Sequence, residues 1–281
     1  MKYKVIITGA KGLLGSYFIK NNRNKYKFYK FTNKGINLNK NIFLKNPNFD
    51  VVHFASVHKF PDFNLESSKN YKKNIKIFED IFKSFDGNIN NFFFTSTIDC
   101  GKKNYPRFKE KYISSKLYIE KKFKVFFEKK KIHNVYILRL PAIIESETTF
   151  FLKSFLFKFI NNKEIYFDKI PYKFNSITTR KDICKFIEKK IKIKSKKRKY
   201  LILNFPSRDP IKFLKFFENL KKKIQSKSII KFKNIDYSSS IKYKKIHKLN
   251  FKLTSVKEII TNYIKNNNEY RKKNNKKIIK Y

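Results

Sequence analysis

Apolar residues along the chain alternate between short continuous runs and stripes at helical spacing. Lys2–Thr8 places Val5, Ile6 and Ile7 in a row ahead of a glycine turn, which predicts a short buried strand. Leu13–Lys20 has helical spacing, and Tyr26–Phe31 and Phe49–Phe54 (FDVVHF) are strand-like. Asn70–Phe85 sets Ile75, Phe78, Ile81, Phe82 and Phe85 at helical intervals. Phe92–Ser96 (FFFTS) predicts a strand ending in hydroxyl residues, Tyr112–Phe127 a long helix, and Val135–Leu140 a strand stopped by Pro141. This alternation predicts an α/β fold, a doubly wound parallel sheet with helices on both faces. Beyond Pro141 the rhythm loosens. Helices are expected at Phe150–Ile160 and Ile211–Ile224, and a strand at Tyr200–Phe205. Residues 1–265 are read as one domain whose smaller C-terminal lobe, mainly 141–265, binds substrate. The polar, Lys-rich 266–281 is read as a loose tail.

The most informative stretch is Thr8-Gly9-Ala10-Lys11-Gly12-Leu13-Leu14-Gly15, between a predicted strand and a predicted helix. Gly9 permits a sharp turn, Gly12 a close approach of backbone to a pyrophosphate, and Gly15 close packing of helix on strand. The helix N-terminus, starting at Leu13 and Leu14, then offers free N–H groups and a positive dipole to phosphates. In this strand–turn–helix setting the loop predicts a Rossmann-type dinucleotide site. A grip on an adenosine ribose through its 2′-hydroxyl calls for an acid after the second strand. The chain instead has Phe31-Thr32-Asn33-Lys34, so Asn33 and Lys34 favour a 2′-phosphate, hence NADP over NAD.

Tyr112 and Lys116 are four residues apart on a predicted helix and share one face. A free tyrosine titrates near about pH 10. A neighbouring ammonium favours its phenolate, so the phenol can move a proton to or from a carbinol or carbonyl oxygen while hydride moves. Ser96, at the predicted end of the FFFTS strand, offers a hydroxyl to the same oxygen.

Charge changes this picture little. The formal net charge is +47, but only seven of the 68 basic residues are Arg (23, 107, 139, 180, 198, 208 and 271). A dedicated nucleic-acid reader leans on bidentate Arg, so no nucleic-acid partner is expected. The field should instead draw in anionic ligands. Cys100 and Cys184 stand among apolar residues and are expected to be buried, reduced thiols. His53 and His58 have no Cys partner nearby, and no metal site is expected. No apolar run approaches the roughly 20 residues that span a bilayer. No membrane partner and a cytoplasmic location are the expectations.

The glycine loop, TGxxGxxG, resembles that of the short-chain dehydrogenase/reductase superfamily, and Ser96, Tyr112 and Lys116 resemble its catalytic triad in chain order. Asp50-Val-Val-His-Phe54-Ala55-Ser56 resembles the strand that borders the cofactor, placing Phe54 and Ala55 beside it. Asn74, Arg139-Leu-Pro141, Ile177–Ile183 with Asp182, Asn204–Ser207 and Leu249–Glu258 match further segments. Together they resemble the extended branch, the NAD-dependent epimerase/dehydratase family, over roughly residues 3–265. The resemblance implies an epimerase or ketoreductase acting on a nucleoside-diphosphate sugar, with NAD or NADP. It puts Arg139 in the strand leading to the substrate loop, and Arg180 and Arg208 in the substrate half, where they could clamp a diphosphate. Glu145 and Glu147 are candidates for the substrate mouth. A homodimer through the helices at 70–85 and 112–127 also follows. The departures are specific. Thr97 and Ile98 stand where sugar dehydratases have an Asp-Glu pair, Asn175 where epimerases often have Arg, and Asn250 where a Gly is usual. The competing reading is a non-catalytic dinucleotide-binding sensor or scaffold.

Overall fold

A computed structural model of the chain describes residues 2–32, 35–36, 49–56, 68–83, 89–101, 110–129, 131–145, 150–168, 173–193, 197–233 and 252–274. In order these form β1 (Tyr3–Thr8), α1 (Leu13–Asn22), β2 (Tyr26–Thr32), β3 (Gly35–Ile36), β4 (Phe49–His53), α2 (Ser68–Lys83), β5 (Ile89–Thr97), a 3-10 turn (Ile98–Gly101), α3 (Glu110–Glu128) and β6 (Ile132–Leu140). Then come β7 (Ala142–Ile143), α4 (Phe150–Ile160), β8 (Ile165–Asp168), β9 (Lys173–Phe174), β10 (Ile177–Thr178), α5 (Arg180–Lys192), β11 (Lys199–Asn204), β12 (Ile211–Lys212), α6 (Phe213–Ile224), β13 (Ile230–Lys233) and α7 (Val256–Asn274). The chain divides into two compact units, one of residues 1–140 with Ile183–Phe205, the other of Pro141–Asp182 with 206–281.

The first unit is built on a sheet ordered β11-β6-β5-β4-β1-β2-β3. Six of its strands run parallel, and the two-residue β3 pairs antiparallel with β2. The order reverses between β1 and β4, so the carboxyl ends of these two strands flank the crevice where open α/β sheets take ligands. Parallel strands covered on both faces are continuously apolar. Val5, Ile6 and Ile7 of β1 and Phe92, Phe93 and Phe94 of β5 are all fully buried. Alternation along β5 sends Phe92 and Phe94 into one core with Phe78 and Ile81 of α2 and Ile119 and Phe123 of α3. Phe93 turns the other way, stacking on Tyr136 of β6 at 5.0 Å, which in turn meets Phe186 of α5 edge-on at 6.0 Å. Each of these rings contributes about 1.5–3 kcal/mol by leaving water.

The far end of the same sheet carries a buried polar ladder. Asp50, Asn91 and Asn134 lie in register on β4, β5 and β6. Asp50 Oδ1 accepts the Asn91 backbone N–H at 3.1 Å and its Nδ2 at 2.6 Å, and Asn134 Nδ2 donates to Asn91 Oδ1 at 3.0 Å. Burial outweighs these bonds and pushes the Asp50 carboxyl up to about 7.

The second unit packs α4, α6 and α7 around Leu152, Phe159, Phe216, Phe217, Leu220, Ile260 and Tyr263. Its strands form three short pairs, β7 with β10, β8 with β13, and β9 with β12. Helix α7 continues to Asn274, into the stretch expected to be a loose tail. Its start is secured by a reciprocal cap. Ser255 N–H donates to Glu258 Oε2 at 2.7 Å, and Glu258 N–H donates to Ser255 Oγ at 3.1 Å. Ile259, Ile260, Tyr263 and Ile264 then bury a continuous stripe. Helix α5 was likewise not evident from spacing; Thr179 Oγ1 caps it by accepting the Asp182 N–H at 3.1 Å.

Candidate active site

The glycine turn has the conformation that its residues require. Gly9 sits at φ +65, and a Cβ on it would stand 2.8 Å from Ala55 N. A Cβ on Gly15 would overlap the Gly9 carbonyl and come within 2.9 Å of Ala10 Cα. The turn closes through Gly12 N–H to Gly9 O at 2.9 Å. Gly12 begins α1 with no side-chain cap, and no acid stands in the first turn. The first N–H groups of α1 are therefore left for an external anion, as a phosphate site requires. Leu14 and Gly15 are buried against the sheet, while Lys11 is exposed on the turn.

Across the crevice, Thr8 Oγ1 accepts the Ala55 N–H at 3.0 Å and lies 3.0 Å from His53 Nδ1. Phe54, Ala55 and Ser56 follow β4 and are half-buried. The Ser56 hydroxyl oxygen is enclosed without a hydrogen-bond partner among the described residues. An enclosed, unpaired hydroxyl one residue beyond Ala55, whose backbone meets the Gly9 turn, fits a polar ligand such as a nicotinamide dinucleotide. Asn33, Lys34, Glu147 and His58 lie outside the described residues.

Lys116 is 2% exposed, an extreme burial for an ammonium. Its Nζ donates to the Thr95 carbonyl at 2.9 Å and sits 4.9 Å from the Phe94 ring centroid and 5.6 Å from that of Tyr112. Burial lowers it to about 8, with Cys100 and Glu120 acting in the opposite direction. Tyr112 is half-buried one helical turn earlier. Thr95 Oγ1 also donates to the His53 carbonyl at 3.1 Å. A single chain of contacts therefore runs along the carboxyl edge of the sheet, from Thr8 through His53 and Thr95 to Lys116.

Ser96 does not join this chain. Its hydroxyl points to the α3 side, is 4% exposed, and donates to Glu120 Oε1 at 2.6 Å. A hydroxyl has one proton, and here that proton is held inside the protein. The neighbouring Thr97, last in β5, accepts the Asp99 N–H at 3.3 Å and has only a 3.5 Å contact from its own proton to Asp99 Oδ2.

The three arginines expected at the substrate are all held by carboxylates within their own units. Arg139 makes a two-pronged pair with Glu120, Nε to Oε1 at 3.1 Å and NH2 to Oε2 at 2.6 Å. Arg180 pairs with Glu145 at 3.2 Å. Arg208 binds both oxygens of Glu258 at 3.1 and 3.0 Å, the Leu253 carbonyl at 2.7 Å, and Asp209. Each guanidinium is thus paired with a carboxylate of its own unit. Spacing could not reveal this, because apart from Asp209, which follows Arg208, the carboxylate partners are remote in sequence. Glu120 is the exception: it continues the Tyr112–Lys116 interval by another four residues. Cys100 and Cys184 are both free and buried. Among the described residues there is no cluster of His, Cys, Asp or Glu able to hold a metal, and no helix long and apolar enough to cross a membrane.

No family model matches the chain, and no curated protein matches it in sequence. Solved structures do match, over nearly the whole length. UDP-N-acetylglucosamine 4-epimerase from Methanobrevibacter ruminantium M1, in complex with UDP-N-acetylmuramic acid, superposes with a TM-score of 0.68 at 17% identity, covering 95% of this chain and 100% of that one. UDP-glucuronic acid 4-epimerase from Bacillus cereus, in complex with UDP-glucuronic acid and NAD, gives 0.70 at 14% identity, covering 94% and 99%. RMD from Pseudomonas aeruginosa, complexed with NADPH, gives 0.66 at 13% identity, covering 95% and 99%. At these identities the likeness establishes the fold, the Rossmann-type α/β fold of the sugar-nucleotide epimerases.

Proposed function

We propose that the chain is an NAD(P)-dependent epimerase or ketoreductase acting on a nucleoside-diphosphate sugar. The observation that carries this reading is the contact chain from Thr8 to Lys116, which ties the uncapped glycine turn and the buried ammonium to one sheet edge. The neighbours in complex with UDP-sugars, NAD and NADPH support the substrate class and the cofactor.

In this reading the N–H groups at the start of α1 and the open turn at Gly9–Gly12 hold the pyrophosphate, and Phe54, Ala55 and Ser56 form the facing wall. A bound nicotinamide dinucleotide supplies the hydride acceptor and donor. Lys116 keeps an ammonium beside the Tyr112 phenol and makes its proton easier to release. Tyr112 removes a proton from the sugar hydroxyl as hydride leaves the carbon, and returns one to the carbonyl oxygen in the reverse step. Thr97 takes the supporting hydroxyl role expected of Ser96, whose proton is committed to Glu120. Lys11 on the turn, with Asn33 and Lys34 from the sequence, favours NADP(H), because these groups can meet a 2′-phosphate.

The test is incubation of the purified protein with NAD, NADPH and a panel of UDP-sugars and 4-keto nucleotide sugars. Absorbance at the reduced nicotinamide band and product stereochemistry are then followed. Stoichiometric loss of NADPH identifies a ketoreductase. Inversion at one sugar carbon without net cofactor use identifies an epimerase. A protein that binds neither dinucleotide, or that binds one and converts no sugar, overturns the proposal; the second outcome leaves a dinucleotide-binding sensor.

A further inference from the structure

The buried ion pair behind the proposed proton pair is more elaborate than helix packing needs. Glu120 is 5% exposed and lies two helical turns after Tyr112 and one after Lys116, on the same face of α3. Both its oxygens are claimed by Arg139 of β6, and Oε1 also accepts the Ser96 hydroxyl of β5 at 2.6 Å. A third tie comes from β11, where Tyr200 donates its hydroxyl to the Glu120 carbonyl at 3.1 Å. One residue of α3 is thus fastened to three adjacent strands. Burying a carboxylate costs several kcal/mol even when it is paired, and apolar replacements are often at least as stable. Stability alone therefore gives little reason for this arrangement.

We propose that Glu120 is a positioning residue for the proton pair: held by Ser96, Arg139 and Tyr200, it fixes the helical turn that carries Lys116 and serves as the anionic neighbour of that ammonium. This rests on the roles given to Tyr112 and Lys116 above. The groups that face Lys116 are His53 from β4, the Phe94 ring and Thr95 carbonyl from β5, Cys100 from the 3-10 turn, and Tyr112 and Glu120 from its own helix. Arg139 pairs with Glu120 through both carboxylate oxygens. His53 is held neutral, pushed down to about 3 by burial and by Lys116 itself. Cys100 is kept a thiol, pushed up to about 11 by burial. Among these described neighbours Glu120 is then the one carboxylate that offsets the burial of Lys116 near neutral pH. Removing its charge lowers Lys116 further, so the ammonium, and with it the activity, is lost at a lower pH.

The experiment compares the full-length protein with Glu120→Gln and with the double variant Glu120→Leu/Arg139→Met, which removes both charges and keeps the volume. The Lys116 midpoint is followed by heteronuclear NMR of lysine side chains, the resonance being assigned by its disappearance in Lys116→Arg. The alkaline limb of kcat/KM is measured in parallel. The expected result is a Lys116 midpoint lowered by about one pH unit in Glu120→Gln and lowered by less in the double variant, which also removes the opposing Arg139 charge, with the alkaline limb moved by the same amount in each. If Glu120→Gln does not fold, the double variant decides alone. A midpoint unmoved in the folded variants, whatever their activity or melting temperature, overturns the role of Glu120. Absence of turnover in the unmodified protein overturns the proposed activity instead, and the NMR midpoint still tests the electrostatic part.

Discussion

The hydroxyl of Thr8, the last residue of β1, lies 3.0 Å from Nδ1 of His53, the last residue of β4, and accepts the Ala55 N–H at 3.0 Å. With His53 neutral, its Nδ1 and the Thr8 hydroxyl share one hydrogen bond, and the Thr8 oxygen also receives the Ala55 amide. The two strand ends that flank the crevice are thereby locked to each other before any ligand arrives. That preorganisation lowers the ordering cost of binding.

His53 makes this lock sensitive to acid. Its folded value, about 3, lies below the ordinary 6.5. The stability it contributes is complete above pH 6.5 and is lost as pH falls towards 3. Thermal melts across pH 4–8 should show that His53→Asn loses part of the acid-side fall in melting temperature. An identical pH dependence in variant and parent would contradict the buried neutral ring.

Asp50 acts in the opposite direction. Its folded value, about 7, lies above the ordinary 3.8. The folded protein holds the extra proton between these values, so stability declines as pH rises from 4 to 7. The penalty above pH 7 is on the order of a few kcal/mol. Asp50→Asn keeps an oxygen for the two Asn91 donors and carries no charge. It should melt above the parent at pH 8 and close to it at pH 4. The His53 and Asp50 slopes oppose each other in one window, so the two variants resolve what the parent curve alone would blend.

Gly15→Ala tests the turn. The added methyl would overlap the Gly9 carbonyl, and backbone cannot step aside as a flexible side chain can. The strain should cost on the order of 1–3 kcal/mol, and dinucleotide affinity, measured by calorimetry or nicotinamide fluorescence, should fall at least about tenfold, a 1.4 kcal/mol effect. Unchanged affinity would remove the glycine turn from the site.

Tyr112→Phe removes one oxygen from the proposed proton pair. Turnover should drop by about 10²–10⁴, the usual worth of a positioned acid or base, with dinucleotide binding retained. Retained turnover would shift the chemistry to another group.

Arg208 distinguishes the diphosphate role from the structural one. Its guanidinium bridges Glu258, Asp209 and the Leu253 carbonyl near the start of α7. Arg208→Ala should therefore lower stability by about 1–2 kcal/mol while KM for the sugar nucleotide moves less than about threefold, under 1 kcal/mol. A large rise in KM with unchanged melting temperature would restore Arg208 to the substrate.

Some of the site was legible locally. The glycine turn could be read because Gly12 and Gly15 answer constraints from within the same short stretch and Gly9 takes a positive φ, although the close approach of Ala55 to Gly9 comes from the end of β4, and Tyr112–Lys116 because a helix of known pitch brings them together. Ser96 shows where that kind of reading stops. A hydroxyl at a strand end looks open until the helix that covers it is placed, and Glu120 on α3 then takes its proton. Helix α7, which enters the stretch expected to be a loose tail, shows the same limit. Its later turns look polar in sequence, and only the packed stripe through Ile259, Ile260, Tyr263 and Ile264 with the Ser255–Glu258 cap shows the helix to be secured.

By itself the chain determined the alternation of strand and helix, the parallel sheet, the glycine turn and the tyrosine–lysine interval. All of these follow from periodicity and from steric limits acting over a few residues. Tertiary structure alone decided which charges were free. Arg139 and Glu120 are nineteen residues apart, Arg208 and Glu258 fifty. Whether a guanidinium meets a carboxylate or water depends on how distant segments pack, because Coulomb attraction and burial act through space, whereas spacing along the chain records only what lies within a helical turn or two.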